Sequence, residues 1–342
     1  MALGALSNTL GIASHGLASL SRGPHAIGLR SLLDASGLTG KTIDSYHVGF
    51  MLAPRVNAAG RMSTPDIAAR LLLATDEALG EEARALAQQL CDENTRRQQE
   101  EAELVAEAKK AIETDPAVGA HNVLVIGGSG WHRGVIGIAA SKLVDAYHKP
   151  AIVLSIDGDI AHGSCRSIPD FDLLTALEHC SDLFIKFGGH KQAAGLTMEA
   201  GRLPEFQARI NAYADQVIEP DQLRPRLRID GPLSLRAITH DLVRGLDLLG
   251  PFGLANPRPV FHASGVEIVD GPRTIKERHL KMTFAQDGRR FRAIAWRAAE
   301  RAEFLEQNRS AMNLAFSLDR NEYQGETFLE LSVADFKAMD DR

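Results

Sequence analysis

The apolar positions change their period along the chain. Around Leu29-Arg30-Ser31-Leu32-Leu33 they form a short helical cluster. Gly37 is placed to stop it, because glycine accepts the left-handed conformation that closes a helix. From Thr64 to Glu113 the spacing is strongly helical. Thr64-Pro65-Asp66 supplies an N-cap, a proline for the first turn and an early acid, and Ile67, Leu71 and Ala74 follow at helical steps. Glu81 to Glu113 contains no Gly or Pro and carries an interrupted stripe of Ala85, Leu86, Leu90, Leu104, Val105, Ala108 and Ile112. Its centre, Asp92 to Glu103, is almost wholly polar, the pattern of a helix that spans solvent between two domains. A long connecting helix is therefore expected.

Asn122 to Ala200 alternates strand and helix signals. Val123 to Ile126 predicts a buried strand, Gly127 to Gly134 a glycine-rich loop and Val135 to Ala146 a helix. Pro150 to Leu154 predicts a second strand, Ile156 to Asp159 a turn and Ile160 to Ser164 a third strand. Leu173 to Cys180 and Leu203 to Ile218 predict two more helices. Strand–helix–strand order favours parallel pairing with the helix on the sheet. Pro220 to Pro225 has the composition of a linker, and beyond it the period becomes two. Leu280, Met282 and Phe284 alternate, as do Phe291, Ala293 and Ala295, then Leu314, Phe316 and Leu318, then Leu329, Leu331 and Val333. Gly288 and Gln324-Gly325 supply turns. Short strands at this spacing predict a small antiparallel barrel.

Length and composition fit this reading. At 342 residues, 44% hydrophobic and 24% charged, the chain suits two or three globular domains. The longest uncharged stretch, Met1 to Ser21, is rich in Gly and Ser and holds no apolar run long enough for a membrane span. It also lacks the basic start of a signal peptide. Cys91, Cys165 and Cys180 form no CxxC pair, which favours a reducing cytoplasm over a disulfide framework and offers no zinc spacing. The net charge of −6 is uneven. Pro220 to Ser310 carries 16 Lys and Arg against 11 Asp and Glu, a surplus of +5, so the remainder stands at −11. A basic module beside an acidic body suits an anionic partner, nucleic acid foremost, although a merely solvated basic surface gives the same count.

Four strings carry candidate chemistry. Phe187-Gly-Gly-His-Lys-Gln-Ala-Ala-Gly195 sets His190 and Lys191 beside bare backbone, with Gly188 and Gly189 exposing N–H groups to a ligand. The plainer alternative is a tight turn with a surface histidine. Gly127-Gly-Ser-Gly-Trp-His-Arg-Gly134 is a strand-to-helix loop able to collect an anion. Its glycines fit neither a dinucleotide fingerprint nor a Walker loop, so no nucleotide cofactor is indicated. Within it Trp131 reads more readily as a packing anchor than as a base platform. His162-Gly-Ser-Cys-Arg-Ser167 offers Arg166 for bidentate phosphate contact, or for pairing with Asp170 or Asp172. Leu52 to Arg61 sets Arg55, Asn57 and Arg61 around Ala58-Ala59-Gly60.

Together these strings resemble the RecJ family of single-strand-specific DNA exonucleases, within the DHH phosphoesterase superfamily. The resemblance runs from about Gly28 onward. It rests on LAPRVNAAGR at 52–61, GSGWHRGVIGIAASKL at 128–143, HGSCRSIPDFDL at 162–173, FGGHKQAAGLTM at 187–198 and PFGLANPRPVF at 251–261. It implies an α/β fold: a remnant of the DHH domain over 1–62, connecting helices over 63–115, a DHHA1 accessory domain over 116–219 and an OB-fold-like barrel over 226–342. It also implies metal-dependent hydrolysis of single-stranded DNA from the 5′ end in repair and recombination. Single-stranded DNA would be the partner, with a single-strand-binding protein or a helicase beside it, and no membrane. The site residues implied are Arg55, Asn57, Arg61, Arg166, Gly188, Gly189 and His190, all toward phosphate. Arg289, Arg290 and Arg292 are weaker candidates on the barrel.

The family holds two Mn²⁺ or Mg²⁺ ions on Asp and His residues of the DHH domain. Here no Asp-His-His or upstream Asp-x-Asp occurs, Ala2-Leu3-Gly4 stands where a last motif would end, and the first acid is Asp34. The expectation is thus a RecJ-type chain without the catalytic metal ligands, with no catalytic residue assigned. A non-catalytic single-strand-binding protein or partner subunit is the alternative. A phosphodiesterase acting on short oligonucleotides or cyclic dinucleotides is the third reading, which the strand-guiding barrel argues against.

Overall fold

The computed structural model describes residues 2–323 and 326–339. The chain divides into two compact units, residues 18–226 and a unit running from Leu227 onward that also takes in residues 1–17. Helix α1 (Ala2–Arg22) comes first in sequence. In the larger unit α2 (Ile27–Ala35) ends where expected, with Gly37 at φ +65°. A wide helical turn, His47–Leu52, runs into α3 (Ala53–Met62), and α4 (Asp66–Leu73) follows.

Helix α5 (Gly80–Thr114) is a single helix of 35 residues, roughly 50 Å long at the α-helical rise. Its first half buries Leu86 and Leu90, and its second half buries Leu104, Ala108 and Ile112. The polar centre departs in part from the expectation of a solvated crossing. Asn94 and Glu101 are buried. Arg97 donates to Glu101 Oε2 at 2.6 Å and to Asn94 Oδ1 at 3.2 Å, and Lys142, later in the chain, reaches Glu101 as well. Most of the centre is exposed as expected, but Glu101 is enclosed by Arg97 and Lys142, since a buried carboxylate needs charged partners.

After the short α6 (Pro116–Ala120), five strands form one sheet: β1 (Leu124–Ser129), β2 (Ala151–Asp157), β3 (Ile160–Arg166), β4 (Phe184–His190) and β5 (Ala193–Glu199). Their order is β1-β2-β3-β5-β4. The β1–β2 pair is parallel, as the strand–helix–strand pattern requires, and the others are antiparallel. Helix α7 (Ile136–Tyr147) packs with α5 on one face, joining Leu124, Ile126, Ala151 and Val153. Helices α8 (Leu173–Glu178) and α9 (Leu203–Val217) cover the other, around Phe171, Phe206 and Ile210.

In the smaller unit a two-residue strand β6 (Gly231–Pro232) and helix α10 (His240–Asp247) precede the barrel strands. These are β7 (Phe261–Ile275), β8 (His279–Gln286), β9 (Arg289–Ala295), β10 (Met312–Tyr323) and β11 (Glu326–Ala338). They close in the order β7-β8-β9-β11-β10, with β10 returning to β7. The residues read at period two point inward: Leu280, Phe284, Ala293, Leu314, Phe316 and Leu331 are all buried. The barrel differs from the antiparallel expectation at one pair. β9 and β11 run parallel because helix α11 (Ala302–Gln307) carries the chain across between β9 and β10. Asp287 and Gly288, both at positive φ, make the β8–β9 turn, the conformation a two-residue hairpin requires. The Gln324-Gly325 turn lies outside the described residues.

Candidate nucleic-acid interface

Strands β3, β5 and β4 lie side by side in antiparallel register, and the two-residue alternation of side chains sorts them onto two faces. Ala161, Cys165, Ala194, Leu196 and Met198 enter the core beneath α8 and α9. Cys165 is wholly buried there, and burial pushes its thiol up to about 12. The opposite face presents three cross-strand rows. Arg166, Ala193 and His190 form the first, Ser164, Gly195 and Gly188 the second, and His162, Thr197 and Lys186 the third. None of the nine is acidic.

Helix α7 packs on β2 and β3, while Lys186, Gly188, His190 and Gly195 stay exposed. Its first turn comes down onto this face: a Cβ on Gly137 would stand 2.9 Å from Ser164 Oγ and 3.1 Å from an Arg166 guanidinium nitrogen. A cleft of about 410 Å³ opens between Ile136 and the second and third rows. Arg133, in the loop before α7, also lines it and places Nη2 3.1 Å from His162 Nδ1. The guanidinium can only donate, so Nδ1 is the acceptor. Burial, then the Arg133 and Lys186 charges, hold His162 below the ordinary imidazole value, while Asp157 pulls weakly the other way. The positive end of the α7 dipole faces the same space, which favours an anion there.

The residues singled out from sequence separate in the fold. Arg166 and His190 share the first row, at the rim of the cleft; Arg166 donates to the Cys165 carbonyl at 2.8 Å and to Ser164 Oγ at 3.3 Å. His190 is exposed. Gly188 lines the cleft and faces open space. Gly189 requires a correction. The string is the end of β4 and its hairpin to β5, not a free loop, so Gly189 alternates onto the opposite face. A Cβ there would sit 2.4 Å from the Ala193 carbonyl oxygen, at φ +153°. Its glycine meets the hairpin's close backbone packing.

Arg55, Asn57 and Arg61, set around Ala58-Ala59-Gly60 in the sequence, lie on helix α3. Arg55 is tied to the Met51 carbonyl at 2.5 Å and to Cys91 Sγ at 3.3 Å. Asn57 is exposed. Arg61 reaches the Gly134 carbonyl at 3.2 Å, and a Cβ on Gly134 would stand 2.1 Å from the Arg61 carbonyl oxygen, so the end of α3 is seated on the loop that carries Arg133. Trp131 packs over Gly128 and donates to Glu107 on α5 at 2.7 Å, the anchor role. Sequence reading passed over Arg133, His162, Lys186 and Thr197. The signal was present in the strand period: Ser164 and His162 precede Arg166, and Gly188 and Lys186 precede His190, each by two and four residues.

On the barrel, Arg289, Arg290 and Arg292 lie together on β9. Arg292 stands over the Phe328 ring at 5.7 Å, and Arg289 over Phe291 at 5.9 Å. Lys281, Arg292, Asn321 and Phe328 line one hollow with the buried Glu330 carboxylate. Trp296, just beyond the end of β9, is exposed with its ring edge-on to His279. Of these rings Phe328 and Trp296 are exposed, whereas Phe291 is buried in the barrel core; exposed rings among cations suit stacked bases.

Two family models match the chain: the DHHA1 domain at residues 120–216 and the RecJ OB domain at 229–335. The single-stranded-DNA-specific exonuclease RecJ of Bacillus subtilis is 33% identical over 327 residues, 95% of this chain and 41% of that protein. Its Escherichia coli counterpart is 31% identical over 330 residues, 93% of this chain and 56% of that protein. The crystal structure of RecJ in complex with Mn²⁺ from Thermus thermophilus aligns with a TM-score of 0.78 at 30% identity, covering 94% of this chain and 45% of the other. The chain spans about half the length of the relatives it matches. With both family models matched and similarity through nearly its whole length, the chain belongs to the RecJ family.

Proposed function

We propose that this chain holds single-stranded DNA by its phosphates, as the strand-binding portion of a RecJ-type 5′→3′ exonuclease acting in DNA repair and recombination in the cytoplasm, beside a single-strand-binding protein or a helicase. The observation that supports it is the three-row face of the sheet, where Arg166, His190, His162 and Lys186 surround the bare backbone of Gly188 and Gly195. Bare backbone admits a polymer, and donors not ion-paired to a carboxylate suit phosphate. Arg61 supports the loop that carries Arg133, and Arg55 and Asn57 contribute from α3. The β9 arginines add contacts of their own on the barrel. The barrel disfavours a role confined to cyclic dinucleotides or very short oligonucleotides.

The relatives' metal ions do not find a home among these side chains. Among the described residues no three His, Cys, Asp or Glu side chains gather closely enough to hold a metal ion. No step of hydrolysis is therefore derived through one, and the chain's own residues bind and orient the strand. The 342-residue chain is expected to bind single-stranded DNA with an affinity that falls with log[salt] by about 0.7 per neutralised phosphate, and to release no nucleotides from 5′-labelled strands with Mn²⁺. Affinity unchanged between low and moderate salt would overturn the phosphate reading. EDTA-sensitive turnover that survives rigorous purification would overturn the assignment of a purely binding role.

A further inference from the structure

We propose that the Arg133–His162–Lys186 end of the cleft is a second phosphate subsite, separate from Arg166 and His190, so that the cleft engages two non-adjacent phosphates of one strand. This rests on the strand-binding reading above. Lys186 and His190 are four residues apart on β4, and His162 and Arg166 four apart on β3. At the rise of a β-strand the two ends of the face lie roughly 13 Å apart. That exceeds one phosphate-to-phosphate step of a stretched single strand, so a single phosphate cannot serve both.

The second end is built as an anion site. Among the described residues neither Arg133 nor Lys186 is paired with a carboxylate, whereas Arg209, elsewhere on this unit, is held by Asp182. His162 Nδ1 lies 3.1 Å from Arg133 Nη2, accepts from it and fixes that guanidinium toward the cleft. Thr197 adds a hydroxyl 3.3 Å from the same ring nitrogen. Between the ends, Ser164 offers a hydroxyl, and Gly195 and Gly188 leave the floor open for the intervening sugar and phosphate. The cleft cavity itself sits at this end, not at the Arg166–His190 rim.

The test is a length series on the full chain at fixed salt: thymidine 5′-monophosphate, then the 5′-phosphorylated di-, tri- and tetrathymidylates, by calorimetric titration. Affinity should step up between the mononucleotide and the trinucleotide, the shortest member able to reach both ends. Lys186→Ala and Arg133→Ala should each weaken the trinucleotide about tenfold, the scale of one hydrogen bond between charged groups, and so flatten the step in affinity between the mononucleotide and the trinucleotide. Arg166→Ala should weaken every member. Both side chains are exposed, so thermal melts should be unchanged; Lys186→Met, which keeps the aliphatic stem, repeats the test without loss of packing. An equal loss at all lengths, or none at any, overturns the second subsite while leaving strand binding intact. A wild-type chain that binds no oligonucleotide overturns strand binding and the subsite with it.

Discussion

The two basic surfaces of this molecule differ in what surrounds their charges. On the sheet, cations stand over glycine and alanine, with no acid among the nine residues of the three rows. On the barrel, Arg292 lies over the exposed Phe328 ring, with Glu330 buried next to the same hollow. Bare backbone leaves room for a phosphate to come close to fixed donors, so the sheet suits a counted set of phosphates. Rings offer a π-face that any base can use, so the barrel suits a strand held without regard to sequence. Equal charge thus supports two different kinds of contact, and the neighbours of each cation decide which.

The comparison is sharpest at the paired glycines of β4. Gly189→Val should cost about 2–4 kcal/mol of stability, because the new Cβ strikes the β5 backbone at a φ that valine avoids. Gly188→Val, facing open space, should leave the thermal melt nearly unchanged and weaken single-strand binding. If the two variants melt alike, the assignment of opposite faces is wrong.

Next in size are the cations. Arg166→Ala should weaken binding by about 1.5–3 kcal/mol and lower the salt slope by one phosphate contact. Phe328→Ala on the barrel should cost about 1–2 kcal/mol with the salt slope unchanged, since stacking releases no counterions. Salt titrations of both variants check this, and identical slope changes would erase the distinction between the surfaces.

His190→Ala should weaken binding by about 1–2 kcal/mol, with little change in melting temperature because the ring is exposed. A drop of several degrees with affinity per folded molecule preserved would make it a turn residue instead.

The smallest effect concerns pH. His162 has a folded value below its ordinary 6.5, so below that pH the unfolded chain binds more protons than the folded one. Stability should therefore decline as pH falls through about 6.5, and His162→Gln should flatten that decline. Melts of the two proteins between pH 7.5 and 5 compare them; parallel curves would mean the ring is not held neutral.

By itself the sequence determined the connecting helix, the first strand–helix–strand unit and most of the barrel strands, in their order, but not the β4–β5 hairpin. Period two in Leu280, Met282 and Phe284 or in Leu314, Phe316 and Leu318 needs only a pleated strand with one buried face, and those residues are buried. The helix from Gly80 to Thr114 follows from uninterrupted helix formers. The long strand β7 was not legible, because Gly265 and Gly271-Pro272 break its pattern and its bulges absorb them. The family strings pointed to Arg166, Gly188 and His190, yet not to Arg133, His162 and Lys186 beside them. Only the tertiary structure decided that. Register across β3, β5 and β4 sets residues from distant segments into common rows, and no local period encodes which strands become neighbours. The surroundings of Glu101 on α5 were settled the same way: it reads as solvated until Lys142 and Arg97 are seen to enclose it. A side chain's charge is written in the chain, but its surroundings are fixed by pairings between distant segments, and those surroundings determine whether the charge meets water, a carboxylate or a phosphate.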